Sequence, residues 1–306
     1  MNFQSEFLNN ILGKMRHALH KSEIPESKAY IINHLDDPFF DTNWHAHSEF
    51  QLFVVLAGTG TRFIGDNISH FQEGDLVFTG PHVPHLWRND DFYFNRENNL
   101  RVQGIVIYFP EHLFQDNLLK KEEMLEIRQL FEKAKRGLRF TGSTVPQITG
   151  MMRDLLELKG IAGIIQLLSI LNCLAESEEY QYISSMGYVM ADNEKDNDRM
   201  REVYNFIMNN FKQDILLEEV ANVAKMSTTS FSRYFKTRTN KTFSSFVSEL
   251  RISLACKLLM EDKDHIAQIC YECGFNTLSN FNKQFKDFTG TTPLKYKQEY
   301  LKVAGF

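Results

Sequence analysis

Cysteine is scarce in this chain of 306 residues, and the 4 present do not make a disulfide framework. Cys270 and Cys273 have a CxxC spacing, but no second pair accompanies them. Both fall on the apolar side of an expected helix, so packing is the reading, with neither metal nor redox chemistry. Long apolar runs are missing too: none reaches the roughly 18 residues that span a bilayer. The N-terminus lacks the basic start and unbroken apolar core of a secretory signal. Phe3, Phe7, Leu8, Ile11, Leu12, Met15 and Leu19 form a helical stripe there instead. A reduced, cytoplasmic protein is expected. Apolar content of 43% and charged content of 24% are those of a folded globular chain, long enough for two domains.

Charge of one sign is also in small excess, a net of −5, but its distribution is uneven. From Arg199 to Phe306 there are 16 Lys/Arg against 11 Asp/Glu, a net of +5, leaving −10 for the remainder. The basic part suits contact with phosphates, which supply much of the salt-dependent affinity for DNA. The acidic part is expected to carry another task.

That basic part contains one short pattern twice. LEEVANVAKMSTTSFSRYF begins at Leu217 and IAQICYECGFNTLSNFNKQF at Ile266. Leu217, Val220, Ala221 and Ala224 match Ile266, Ile269, Cys270 and Cys273 at an offset of 49, whereas Phe231 and Phe235 match Phe281 and Phe285 at 50. The second copy therefore has one extra residue in its turn. Apolar residues at i, i+3, i+4 and i+7 give each first helix one buried face. Ser227 and Asn276 are the N-cap candidates for the helices that follow. Those helices expose Thr229, Ser232 and Arg233 in one copy, and Ser279, Asn280, Asn282 and Lys283 in the other. Such side chains fit the donor and acceptor pattern of a major groove. A helix over 243–260 is expected to space the two copies.

This C-terminal part resembles the AraC/XylS family of bacterial transcription regulators. Its signature is followed by Arg251, Ile252, Ala255, Leu259, Ile266, Ile269, Cys270, Gly274, Phe275, Phe281, Phe285, Gly290 and Pro293. The resemblance implies paired helix-turn-helix motifs that bind promoter DNA. It puts Arg233 at a base-reading position, with Ser227, Thr229, Ser232 and Lys236 around it. The second set is Thr277, Ser279, Asn280, Asn282 and Lys283, and Lys236 and Lys286 suit phosphates. Leu278 either touches a thymine methyl or packs.

Between Tyr30 and Phe109 the texture changes to short apolar runs broken by Gly, Pro and Asp, which predicts strands at 29–33, 50–56, 61–64, 68–71, 76–79, 85–88 and 102–109. WHAHSEFQLFVVLAGTG, from Trp44, and GDLVFTGPHVPH, from Gly74, resemble the two cupin motifs. Two positions depart from that pattern. Gln51 stands where metal-binding cupins carry glutamate, and His82 where glycine is usual. Alternation puts His45 and His47 on one face, and with His85 they offer three imidazoles. The neutral Gln51 counts against a tightly held catalytic metal, so no metal, no cofactor and no enzymatic activity are expected. The resemblance implies a sensory pocket in which His45, His47, Gln51, His85 and Trp87 bind a small-molecule effector, with carbohydrates among the candidates.

Residues 111–179 read as helix. Met124, Ile127, Leu130 and Phe131 form one stripe. Leu155, Leu158, Ile161, Ile165, Leu168, Leu171 and Leu174 form another, and in this family such helices often make a homodimer. Residues 184–198 turn polar and acidic, as a linker would. The expected architecture is α+β. Residues 1–110 make a cupin-like double-stranded β-barrel (jelly roll) with its preceding helix, residues 111–183 a dimerising helical segment, and residues 199–306 an all-α DNA-binding domain. The expected function is an effector-responsive regulator that binds promoter DNA and engages RNA polymerase. The alternatives are a metal-dependent cupin enzyme fused to a DNA-binding domain, and a DNA binder that needs no ligand.

Overall fold

The computed structural model of the chain describes residues 24–186, 188, 194–261 and 264–304. The helical stripe from Phe3 to Leu19 lies outside them. The chain divides into two compact units, Met1–Met186 and Gly187–Phe306.

Among the described residues of the first unit, two antiparallel sheets enclose an aromatic interior. One has the order β1 (Ile31–Asp37), β7 (Val102–Pro110), β2 (Glu49–Ala57), β5 (Leu76–Thr79), β8 (Leu138–Phe140), β9 (Tyr180–Tyr182). The other has the order β4 (Asn67–Phe71), β3 (Gly60–Ile64), β6 (His85–Asn89). Side chains alternate across a strand, and here both faces of the larger sheet are covered. Phe50, Leu52, Val54, Phe78, Ile105, Ile107 and Phe109 pack outward against helices. Phe53 points inward, where it meets Phe40 at 5.3 Å and Trp87 of the facing sheet at 4.9 Å. Double coverage explains why β2 reads as an almost continuous apolar run. At Gly104 of β7 a Cβ would come within 2.6 Å of the Phe53 ring, so the ring owes its place to the missing side chain.

The covering helices are α1 (Leu125–Ala134), α2 (Thr144–Glu157) and α3 (Ile161–Glu176). Leu130, Phe131, Ile148, Met152, Leu155, Leu167, Ile170, Leu171 and Leu174 face the sheet. The expected helical segment is corrected in two ways. First, it contains β8, and β9 follows at its end; these three-residue strands extend the sheet edge. Second, the stripe from Leu155 to Leu174 is broken, because Leu158 is extended and Gly160 adopts φ +60° between α2 and α3. The expected linker is shorter at both ends. The Ser184 hydroxyl donates to the Ile64 carbonyl, and Arg136 donates to the Ser184 carbonyl. Asp66 accepts from the Ser185 N–H and hydroxyl, which ties this stretch to the barrel. At the far end a helix already begins at Glu194.

The second unit is helical: α4 (Glu194–Asn210), α5 (Leu217–Val223), α6 (Thr228–Thr239), α7 (Phe243–Glu261), α8 (Ile266–Glu272), α9 (Leu278–Thr289) and α10 (Pro293–Ala304). Helix α7, about 28 Å long at 1.5 Å per residue, belongs to two cores. Near its start Phe246 contacts Phe235 and Tyr204. Towards its end Ile252, Ala255, Cys256 and Leu259 pack with Ile269, Cys270, Cys273, Phe281 and Phe285. All four cysteines are free, and the CxxC pair is buried in this second core.

Candidate nucleic-acid interface and barrel histidine cluster

Helices α5–α6 and α8–α9 are the two copies of the repeated pattern. In the first turn Lys225 takes the left-handed conformation, φ +55°; Gly274 takes it in the second, φ +88°. A Cβ at Gly274 would lie 2.5 Å from the Lys212 carbonyl oxygen, so the second turn requires glycine. After these residues the copies diverge by one position. Met226 and Phe275 donate equivalent backbone bonds, to Ala221 and Cys270, so the inserted residue is Asn276. Asn276 is therefore not the cap that the sequence suggested. Its amide donates to the Asp214 carboxylate at 3.2 Å. Thr277 caps α9, its hydroxyl accepting from the Asn280 N–H, as Ser227 caps α6 by accepting from Ser230.

With the caps aligned, the exposed faces correspond throughout. Thr229, Ser232, Arg233 and Lys236 lie at i, i+3, i+4 and i+7 of α6, all exposed, opposite buried Phe231 and Phe235. Ser279, Asn282, Lys283 and Lys286 occupy the same positions on α9, opposite buried Phe281 and Phe285. Asn280 corresponds to Ser230, about one residue's rotation off that face. Leu278 is 36% exposed at the start of the helix. Arg251, prominent in the signature, holds a loop: its guanidinium donates to the Phe211 and Gln213 carbonyls, both at 2.7 Å. Spacing along the chain carried no sign of that role, because the partners lie about 40 residues away.

In the barrel, four of the five expected effector residues, His45, His47, Gln51 and His85, form a tight group. His45 and His85 exchange backbone hydrogen bonds. His47 accepts from the His82 N–H at 2.7 Å, and His82 has φ +60°, so the backbone keeps the glycine conformation of the motif despite the substitution. Ring centroids are 4.5 Å apart for His45–His85 and 5.0 Å for His47–His85. Gln51 Oε1 stands 3.0 Å from Nε2 of both His47 and His85. Gln51 pairs with Thr79 and Tyr108 across its two ladders, so these three share the inner face. The Tyr108 ring lies edge-on to His47 at 5.2 Å. Trp87 is adjacent, 5.5 Å from His85, but it is buried and packed by Phe53. Its indole N–H has no protein acceptor among the described residues.

Electrostatics separate the cluster from an acid–base pair. Burial, reinforced by His45 and His47, drives the His85 pKa well below 6.5 and keeps its imidazole neutral. Burial also pushes the Tyr108 phenol well above 10, with Asp41 and Glu49 adding to the effect. Sequence reading noted Glu49 only as the acid that follows the HxH pair, and did not single out Tyr108. Tyr108 is distant in the chain from the two motifs.

Residues 29–168 match the family described as AraC-like ligand binding domain, and residues 220–299 match the family described as Helix-turn-helix domain. The transcriptional activator RhaR of Mannheimia succiniciproducens is 22% identical over 268 residues, covering 84% of this chain and 88% of that protein. The activator RhaS of the same organism is 28% identical over 259 residues, covering 81% and 87%. Among solved structures, ToxT of Vibrio cholerae aligns over 88% of this chain and 98% of its own at 15% identity, with a TM-score of 0.35.

Proposed function

The chain belongs to the AraC/XylS family of transcription regulators, with a ligand-binding domain and a helix-turn-helix DNA-binding domain, and on that premise we propose which residues read DNA and which bind the effector. Arg233 reads a base in the first recognition helix, flanked by Thr229 and Ser232. Asn282, Lys283 and Ser279 do so in the second. Lys236 and Lys286 contact phosphates, and Ser227 and Thr277 set the helix N-termini against the backbone. Asn280 sits at the edge of the second contact.

One observation carries this reading. Two capped helices present matching polar and basic faces at an offset of 50 residues, although their turns differ in length. Helix α7, about 28 Å long at 1.5 Å per residue, packs against both motifs, and its length is close to the roughly 34 Å separation of successive major grooves.

The barrel binds a small-molecule effector, without turnover, through His45, His47, Gln51 and His85 with Trp87 behind them. The second copy docks on α3, where Ile161, Ile165 and Leu168 form an exposed apolar line at i, i+4 and i+7 that the barrel does not cover. The dimer works in the cytoplasm and engages RNA polymerase. No helix of the described residues is long and apolar enough to cross a membrane. Selection of genomic fragments on the purified protein tests the DNA reading: a shared sequence with two contacted segments is expected, and recovery without any shared sequence would refute it. Thermal shift over a small-molecule panel tests the effector reading, because ligand bound to the folded state raises Tm.

A further inference from the structure

A cavity of about 710 Å³ lies on the outer side of the barrel wall, between α1, residues 111–120 and the beginning of β2. Its floor is apolar, made by Phe50, Phe131, Leu119, Leu125 and Pro81. The Phe50 and Phe131 rings have centroids 4.2 Å apart, and both belong to the buried core between sheet and helices. Packing therefore holds the floor in place before any ligand arrives. The cavity is separate from the barrel interior. Phe50 and Gln51 are neighbours in β2 and point to opposite faces of the sheet. Gln51 meets the histidines, whereas Phe50 meets the outer cavity.

Four cations, Lys120, Arg128, Lys133 and Lys135, line this cavity against two carboxylates, Glu111 and Glu132. Glu132 is already matched, because the Lys135 ammonium donates to both its oxygens at 2.8 Å. The excess left is positive, in the part of the chain whose net charge is −10. Arg128 is set for an anion. Its Nη1 donates to the Leu119 and Lys121 carbonyls, the latter at 2.9 Å, which fixes the guanidinium plane. The Nε–Nη2 edge has no acceptor among the described residues. That edge carries two parallel N–H groups, the fork that a carboxylate accepts from with both oxygens. Lys120 is exposed and has no ion pair among the described residues.

We propose that this outer cavity binds a small apolar molecule carrying one carboxylate. The head lies on the Arg128 edge and the Lys120 ammonium, and the body lies on the Phe50–Phe131 floor. The volume falls within the range of about 300–1,000 Å³ usual for small-molecule sites. A neutral ligand would leave the cationic excess unanswered, and a small polar anion would leave the apolar floor wet. The site stands apart from the effector reading of the barrel interior, and neither requires the other.

The para isomer of biphenylacetate is the probe, and the corresponding neutral amide is its control of equal shape. Both are titrated into the full-length protein by calorimetry. The expected result is one acid bound per chain, at least roughly tenfold tighter than the amide. Lys120→Glu reverses the charge of an exposed side chain. Leu125→Glu puts a carboxylate at a position that is 43% exposed and lies in the first turn of α1, where an acid suits the helix dipole. Each should weaken binding of the acid by at least about fivefold, while circular dichroism and Tm stay those of the wild type. His45→Ala, inside the barrel, should leave the affinity within about twofold. No uptake of the acid at millimolar concentration, or an amide that binds as tightly as the acid, overturns the proposal. Binding lost in His45→Ala and kept in Leu125→Glu places the probe inside the barrel and overturns it as well.

Discussion

Arg62 and Asp75, on neighbouring segments of the barrel wall, form a buried ion pair in which one guanidinium nitrogen donates to both carboxylate oxygens, at 2.9 and 2.7 Å. Arg139, which is 41% exposed, adds a bond to the same carboxylate at 3.0 Å. Removing one member of a buried pair leaves the other charge without compensation, which costs about 3–5 kcal/mol. Asp75→Ala should lower barrel stability by that amount in urea unfolding, while Arg139→Ala should cost about 1 kcal/mol or less. Equal effects of the two would contradict the roles assigned here.

The helix caps give a second expectation. Ser227→Ala and Thr277→Ala should each destabilise the helical unit by about 1 kcal/mol, because each removes the acceptor of an otherwise unsatisfied N–H. Asn276→Ala should cost distinctly less, since it loses only an exposed bond to Asp214. Denaturant midpoints of the three variants check the order.

Acid stability should depend on Glu179. Its carboxylate accepts from the Thr144 N–H and from the Ser143 hydroxyl, both at 2.9 Å, and so caps α2 from across the fold. Those bonds, the Thr144 N–H first, hold its pKa below the ordinary 4.5. A depressed folded pKa contributes stability that is present above 4.5 and lost as pH falls through the lower folded value. Wild type should therefore lose more Tm than Glu179→Gln as pH drops below 4.5. Parallel acid limbs would show that the cap contributes nothing.

The exposed line on α3 predicts a charge-sensitive dimer. Ile165→Asp places a carboxylate in the middle of it, next to Ile161 and Leu168. Sedimentation should shift from dimer to monomer, with barrel Tm little changed, because Ile165 is 57% exposed within one chain. A monomeric wild type, or a dimer that ignores the substitution, would remove α3 from the interface.

Much of this fold is legible in the sequence because its strands alternate or run apolar between glycine turns. Each of the seven expected strands from 29–33 to 102–109 has an observed counterpart within a few residues. Strands β8 and β9 escape, since three residues set no periodicity and their pairing partners lie far away in the chain. The break between α2 and α3 is hidden because apolar residues keep helical spacing through Gly160. In the DNA-binding unit the duplication reveals both motifs, but one inserted residue moves the second cap from Asn276 to Thr277. In the barrel the histidines are visible as a motif, whereas the backbone carbonyls that hold each Nδ1 are set only by the folded backbone.

The central claim is that α6 and α9 read separate DNA segments through matching faces. It is tested most directly by base-resolved binding of wild type, Arg233→Ala and Lys283→Ala to a randomised site library. Wild type should select two segments about 34 Å apart along the duplex. Arg233→Ala should cost about 1–3 kcal/mol and relax one segment, and Lys283→Ala should weaken contact at the other segment only. Identical preferences and affinities for all three proteins would contradict the account.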